Sequence, residues 1–210
     1  MEKITVQGDD ITGVNKAYIL GNAMTKVVNA RNAKDLSGKL FRMFLDLAEL
    51  VVFPIRLGDI QGEEAWGIVT VDNIIIERYG LDEDELFETA RKNTGRKVRI
   101  RAFGEFLPAV PPDSDLFLVT NDECLYGAGV LCSHDALQRL REHVGSDVYI
   151  IPSSIHEVLF CRRTGEMKDE DMKWLTSIIG EMNQSVVKAD EVLSDHLYAF
   201  DEDGKLYIAG

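Results

Sequence analysis

Short segments with two hydrophobic patterns alternate along the chain and predict a mixture of strands and helices. Residues 97–103 show the strand pattern most clearly, because basic side chains at 97, 99 and 101 alternate with Val98 and Ile100. Other short apolar segments lie between turn residues and predict further strands at 26–29, 50–55, 66–71, 116–120, 125–132, 147–151, 158–162, 197–200 and 206–208. The last two segments flank the sequence DEDG, which is typical of a hairpin turn.

Helix start signals lie between several of these strands. Asp82 is the best specified start, because Glu85 stands at the N3 position of the helix that it would cap. Further helices are predicted after Asp72, Ser133 and Asp169. In the last of these, apolar residues recur at steps of three and four, which is typical of a core-facing helix: Met172, Leu175, Ile179 and Met182.

The order of these elements predicts an α+β fold, with a mixed, mostly antiparallel sheet covered by helices. Residues 1–35 are small, polar and weakly patterned, whereas residues 36–210 are expected to form a single α+β domain. Three prolines fall between positions 107 and 112, so the Pro-rich loop at 107–115 is the candidate sub-boundary within that domain.

Charge and composition narrow the function. Thirty-six acidic residues against 23 basic ones give a formal net charge of −13, which repels phosphate backbones, so no nucleic-acid partner is expected. No apolar run approaches the roughly 18 residues of a membrane span. The chain has none of the common phosphate-loop, zinc-protease or serine-hydrolase motifs, and no cofactor is predicted. Three widely spaced cysteines indicate a reducing, cytoplasmic setting.

The segment 152–157 (PSSIHE) is the most concentrated group of polar residues with catalytic potential. A hydrolase-like interpretation makes Ser153 or Ser154 a nucleophile and His156 its base, with Glu157 or a distant Asp orienting the base. The alternative is a turn between two strands, in which Ser154 and Glu157 satisfy free backbone groups. Members of catalytic triads usually come from distant parts of a chain, which favours the turn.

A metal site is a second, weaker candidate. Cys132, His134, His156 and Cys161 could in principle supply four ligands to a zinc ion. Their spacings, C-x-H and H-x4-C, are not those of the usual structural zinc sites. The two cysteines each end an apolar segment, where a small buried hydrophobic residue is the alternative interpretation, so no metal is predicted.

Several longer motifs resemble a known family. FLDLA at 44–48 and PSSIHEV at 152–158 are the sharpest, and MFLDLAELVVFPI, LVTNDECLYGAGVLC and ADEVLSDHLYAFDEDGKLYIA extend the likeness over residues 26–209. The chain is similar to domain-of-unknown-function family 5688, a group of uncharacterised bacterial proteins. The resemblance implies a cytoplasmic bacterial protein, but it implies no activity and no catalytic residues.

The expected function is therefore binding rather than catalysis. Another protein is the expected partner, and a basic one would suit residues 166–203, which hold 11 acidic and 3 basic residues. The alternative is a hydrolase-like enzyme that uses PSSIHE, with Cys161 as a further candidate. The sequence leaves the oligomeric state open.

Overall fold

The computed structural model describes residues 13–31, 36–60, 62–105, 115–145, 147–163 and 187–209, with the helical positions 173, 176–177, 179–181, 183 and 185. These residues form two antiparallel sheets with helices packed against them, which confirms the predicted α+β class. The division of strands between two separate sheets was not predicted.

The first sheet has four strands and is built around one long central strand. Helix α1 (Lys16–Asn22) leads into β1 (Met24–Asn29), and the remaining strands are β2 (Phe41–Phe44), β3 (Leu47–Ile60) and β4 (Glu63–Thr70). Strand β1 pairs with one side of β3, while β2 and β4 pair in succession along the other side. Pro54 lies beyond the last pair with β1, Met24 with Val52, where β4 is the one strand in the described part of the chain that pairs with β3. That position costs no ladder hydrogen bond.

Two capped helices cover the inner face of this sheet. Helix α2 (Asn73–Tyr79) begins at Asp72, whose carboxylate accepts from the Ile75 amide, and it ends at Gly80 in the left-handed conformation. Helix α3 (Glu83–Arg96) begins at Asp82, which accepts from the Glu85 amide. Both predicted caps are confirmed. Helix α3 buries Leu86, Phe87 and Ala90 in a cluster with Val51, Phe53 and Ile55 of β3, and α2 packs the partly buried Ile75, Ile76 and Tyr79 against it.

The second sheet has six strands in the spatial order β10-β9-β7-β8-β6-β5. They are β5 (Val98–Ala102), β6 (Leu116–Asn121), β7 (Val148–Ile151), β8 (Val158–Arg162), β9 (Tyr198–Phe200) and β10 (Leu206–Ile208). Helix α4 (His134–Val144) lies between β6 and β7 in the chain, after Ser133. The 3-10 helices Phe103–Glu105 and Gly127–Cys132 complete the described elements of this region.

The strand expected at 125–132 is wrong, since residues Gly127–Cys132 form a 3-10 helix that packs against β1. Two glycines allow this close approach. A Cβ at Gly129 would collide with the Thr25 carbonyl oxygen, and one at Gly127 would collide with the His156 carbonyl oxygen. Tyr126 turns the chain into the helix through a left-handed conformation with φ 56°. An extended strand could not bring its backbone to both contacts.

One hydrophobic cluster contains residues of both sheets. Val27 of β1 and Leu47 of β3 pack in the same buried cluster as Ile150, Phe160 and Tyr198 of the second sheet. The side chains of this cluster therefore connect the two sheets.

Parts of four predictions lie outside the described residues, including residues 166–172 of the acidic segment 166–203. Almost all of the Pro-rich loop at 107–115 is among them, as are residues 1–12. Of the residues predicted on the last helix, Ile179 is helical and buried. The others lie outside the described part of the chain: Asp169, Met172, Leu175 and Met182.

Candidate functional site

The PSSIHE segment forms the turn between β7 and β8, and its serines contact Glu157 rather than the histidine ring. The Ser154 hydroxyl donates to Glu157 Oε1 at 3.1 Å and accepts from the backbone amide of His156 at 3.0 Å. The Ser153 hydroxyl lies 3.4 Å from the same Glu157 oxygen. The structure thus brings Ser153, Ser154 and Glu157 together, and Ser154 is buried.

The His156 ring points to a different set of residues. Its Nδ1 accepts from the backbone amide of Tyr126 at 3.2 Å, and its Nε2 lies 3.9 Å from Glu191 Oε1. The ring stacks on Tyr126 with centroids 5.6 Å apart. The Lys26 ammonium lies 4.6 Å from the centroid of the Tyr126 ring. Burial lowers the pKa of Lys26, against the opposing effect of Asp190.

The four metal candidates are placed apart. Cys132 ends the second 3-10 helix, His134 begins α4 with an exposed side chain, His156 lies in the turn and Cys161 lies on β8. Among the described residues, no three His, Cys, Asp or Glu side chains are arranged to hold a metal ion. Burial raises the pKa of both Cys132 and Cys161, so their thiols stay protonated at neutral pH.

A second serine–histidine pair belongs to a polar cluster between the sheets, which we call the polar junction: Asp46, Ser194, His196 and Tyr198. The turn between β2 and β3 supplies Asp46, and the chain entering β9 supplies the others. Asp46 Oδ2 accepts from Ser194 Oγ at 2.6 Å and lies 3.0 Å from His196 Nδ1. Asp46 Oδ1 accepts from the Tyr198 hydroxyl at 2.7 Å.

Hydrogen bonds hold the Asp46 carboxylate ionised. Burial acts to raise the pKa of Asp46, but the hydrogen bonds from Ser194, Tyr198 and His196 outweigh it and leave the pKa below its usual value. Burial, together with the neighbouring Asp46 carboxylate, raises the pKa of Tyr198. An ionised carboxylate only accepts hydrogen bonds, so the bond between Asp46 and His196 places a proton on Nδ1.

A cleft of about 490 Å³ opens next to the polar junction. Arg31 and Asp195 line it and form an ion pair of 2.7 Å across it. Asn183, also in its lining, donates to the Ser194 carbonyl oxygen and to Asp195 Oδ1, each at 2.9 Å. Asp195 in the lining thus bonds to both Arg31 and Asn183.

Four exposed apolar side chains lie on the outer face of the first sheet, two on β2 and two on β4. Phe41 is 39% exposed, Met43 54%, Trp66 52% and Ile68 37%. In the register of the sheet they lie opposite Leu50, Ala48, Arg56 and Pro54 of β3, which alternate along one face. We call these four residues the apolar ridge. From Ala48 to Arg56 this ridge runs about 26 Å.

Charged residues follow the ridge at the tip of the β3–β4 hairpin. Glu64 lies opposite Asp59, on the same face as Trp66. Arg56 bonds to both carboxylates, at 2.6 Å to Asp59 and 3.3 Å to Glu64. Residues 56–66 carry three acidic side chains and one basic one, so the tip is negatively charged.

The sequence interpretation missed both the polar junction and the apolar ridge. A signal for the first was present, because Ser194 and His196 repeat the spacing of Ser154 and His156 before a strand. In both turns the histidine amide donates to the serine hydroxyl at 3.0 Å. The approach of Asp46, about 150 positions away in the chain, requires the tertiary structure.

Comparison with known proteins identifies a family without a known activity. The model of a family of unknown function (DUF5688) matches residues 10–202. No curated protein and no solved structure matches the chain. No helix in the described part of the chain is long and apolar enough to cross a membrane.

Proposed function

The chain belongs to this family of unknown function, and we propose that it is a non-catalytic, cytoplasmic binding protein whose apolar ridge docks a basic partner protein. The observation that carries the proposal is that Trp66, Ile68, Phe41 and Met43, all exposed, lie on the same face of the first sheet. Contiguous exposed apolar side chains are typical of protein interfaces, and Trp is among the residues that contribute most to binding.

Charge supports a basic partner. The hairpin tip beyond Trp66 is acidic, and the whole chain carries a net charge of −13. Opposite charge on the partner would steer its approach, while like charge would be repelled. The same net charge disfavours nucleic acid as the ligand. The three cysteines are free thiols, which suits a reducing cytoplasm.

The experiment compares two double variants of the purified chain. The ridge variant carries Trp66→Ser and Ile68→Ser. The control carries Ile74→Ser and Tyr207→Ser, which remove apolar side chains that are 69% and 42% exposed on α2 and β10. A protein captured by the wild type and by the control, but not by the ridge variant, is then purified for titration.

We expect the ridge variant to bind that purified protein about tenfold more weakly than the control, or worse, because buried aromatic contacts dominate interfaces. Thermal unfolding of both variants checks that they remain folded. Equal affinities of the ridge variant and the control for every captured protein would refute the proposal.

A hydrolase-like enzyme is the second candidate, and the Asp46–His196 pair is the observation that favours it. A carboxylate on Nδ1 orients the ring and leaves Nε2 able to accept a proton, as a general base must. Ser194 donates to Asp46 rather than to Nε2, so water would be the nucleophile in such an enzyme. Residues 152–157 support it less, since Ser154 is bonded to Glu157.

Hydrolysis of nitrophenyl esters and phosphates tests this candidate. Turnover that His196→Ala abolishes and His156→Ala retains would favour the enzyme. Turnover that is absent, or that survives His196→Ala, would remove it.

A further inference from the structure

Among the strands that the structure describes, β4 lies at an edge of the first sheet. It pairs with β3 on one side, and no described strand pairs with the other side. It is eight residues long and carries the apolar side chains of Trp66 and Ile68. A long unprotected edge of this kind exposes backbone donors and acceptors to other chains.

The register shows which backbone groups point outward. The Val71 amide donates to the Val51 carbonyl oxygen at 2.9 Å, so residues 69 and 67 of β4 also turn their backbone groups toward β3. The Pro54 carbonyl oxygen accepts from the Tyr18 hydroxyl at 3.1 Å, on the side away from β4. Its partner Ile68 therefore directs its own backbone N–H and C=O to the free edge.

The outward backbone groups and the apolar ridge consequently belong to the same residues. Trp66, Ile68 and Thr70 alternate with residues bonded to β3, and their side chains share the outer face. Glu64 continues the series at the hairpin tip. An added strand would meet free backbone groups and apolar side chains at the same alternate positions, with a carboxylate at one end.

We propose that a basic partner adds an extended segment to this edge of β4 as an antiparallel strand, with its basic residue at the C-terminal end of the segment. The inference rests on the proposed function and names the form of the partner. Antiparallel pairing is the more stable arrangement per residue. In that orientation, a segment whose first residue lies opposite Thr70 places its seventh residue opposite Glu64.

The test uses the acetylated and amidated heptapeptide TTVTVTK as its probe. Its first, third, fifth and seventh residues are designed to lie opposite Thr70, Ile68, Trp66 and Glu64. One derivative is N-methylated at both valines, whose amides would donate to β4. The matched control is N-methylated at the threonine after each valine, where the amides would point away. A fourth peptide, KTVTVTT, moves the lysine to the other end.

Binding is followed through the amide resonances of β4 in isotope-labelled protein. We expect TTVTVTK and the threonine-methylated control to bind equally, and methylation of the valines to weaken binding by about tenfold or more. KTVTVTT is expected to bind more weakly than TTVTVTK, and Glu64→Gln should remove that difference.

Three results would overturn the strand addition. Equal binding of the two methylated peptides would mean that the ridge binds side chains without backbone pairing, which leaves the proposed function intact. Binding of none of the peptides would exclude an added strand of this pattern. Concentration-dependent dimerisation in sedimentation, abolished by Ile68→Pro, would assign the edge to a second copy of the chain.

Discussion

At the scale of single residues, Asp46 links the β2–β3 turn to the chain that enters β9. Three side chains from residues 194–198 donate to its carboxylate. Its own carbonyl oxygen accepts from the Ala30 amide at 3.0 Å. Buried donors that lose their acceptor cost more than the bond itself contributes. Asp46 therefore fixes the β2–β3 turn, at one end of the apolar ridge, against the second sheet.

Replacement of Asp46 by Asn should destabilise the fold by about 1–3 kcal/mol at neutral pH, since an amide cannot accept all the bonds that the carboxylate accepts. The folded-state pKa of Asp46 lies below its usual value of 3.8. Its ionisation thus adds stability above that pH, and this contribution is lost as pH falls through the folded-state pKa. Denaturant titrations of the wild type and Asp46→Asn between pH 7 and about pH 2 should show their difference in stability becoming smaller as the pH falls.

Asp122→Asn provides the control for that series. Asp122 pairs with Arg99 at a half-exposed position, so its loss should change stability by less than about 0.5 kcal/mol. If the difference in unfolding free energy between the wild type and Asp46→Asn stayed constant with pH, that would contradict the role of the carboxylate.

Local signals explain which residue roles could be predicted from the sequence. Asp72 and Asp82 are caps through local geometry, because an Asp with an extended backbone at a helix start can accept from the amide three residues later. The partner of His196 is set by how the two sheets pack, and nothing local to residues 194–198 specifies Asp46.

At the scale of elements, the 3-10 helix Gly127–Cys132 connects the two halves of the core. It packs on β1, and its Gly129 lies directly against the Thr25 carbonyl oxygen. Apolar runs of this length occur in buried strands and in buried helical turns alike, so hydrophobicity alone cannot distinguish them. Gly127 and Gly129 distinguish the helical turn from a strand, because each lies against the backbone of a residue far away in the chain.

Substitution of Gly129 by Ala should therefore cost about 1–3 kcal/mol in stability, because the added methyl has no room beside Thr25. Gly21 in α1 is the matched control, since a Cβ there meets no atom within 4 Å. Gly21→Ala should stabilise the protein by about 0.5–1 kcal/mol through its helix preference. Thermal unfolding of the two variants measures both effects, and a destabilisation of similar size in both would contradict the packing argument.

At the scale of the whole molecule, the α+β class followed from the mixture of periodicities, but the two-sheet arrangement did not. Strand β7 pairs with β9, about 50 positions later in the chain, and such pairings leave no trace in a local pattern. The apolar ridge escaped prediction for a related reason. Phe41 and Met43 alternate like core residues, and only the position of β2 at the outer edge exposes them.

The net charge of −13 leads to a prediction for the assembled complex. Affinity for the basic partner should fall as salt rises, because ions screen charges over about 10 Å at 0.1 M. Glu64→Gln should reduce this salt dependence, whereas Glu202→Gln, at an exposed site beyond β9, should leave it unchanged. Binding titrations at about 0.05 M and 0.5 M sodium chloride measure this salt dependence of the affinity. An affinity indifferent to salt would contradict a basic partner.

Hydrogen–deuterium exchange on the complex with the captured partner tests the central claim most directly. The account predicts that binding slows exchange at the outward amides of Trp66, Ile68 and Thr70 and in β2, while residues 153–157 and the polar junction exchange as in the free protein. Protection confined to residues 153–157 or to the polar junction, with β4 unchanged, would contradict the account and place the function at one of those sites.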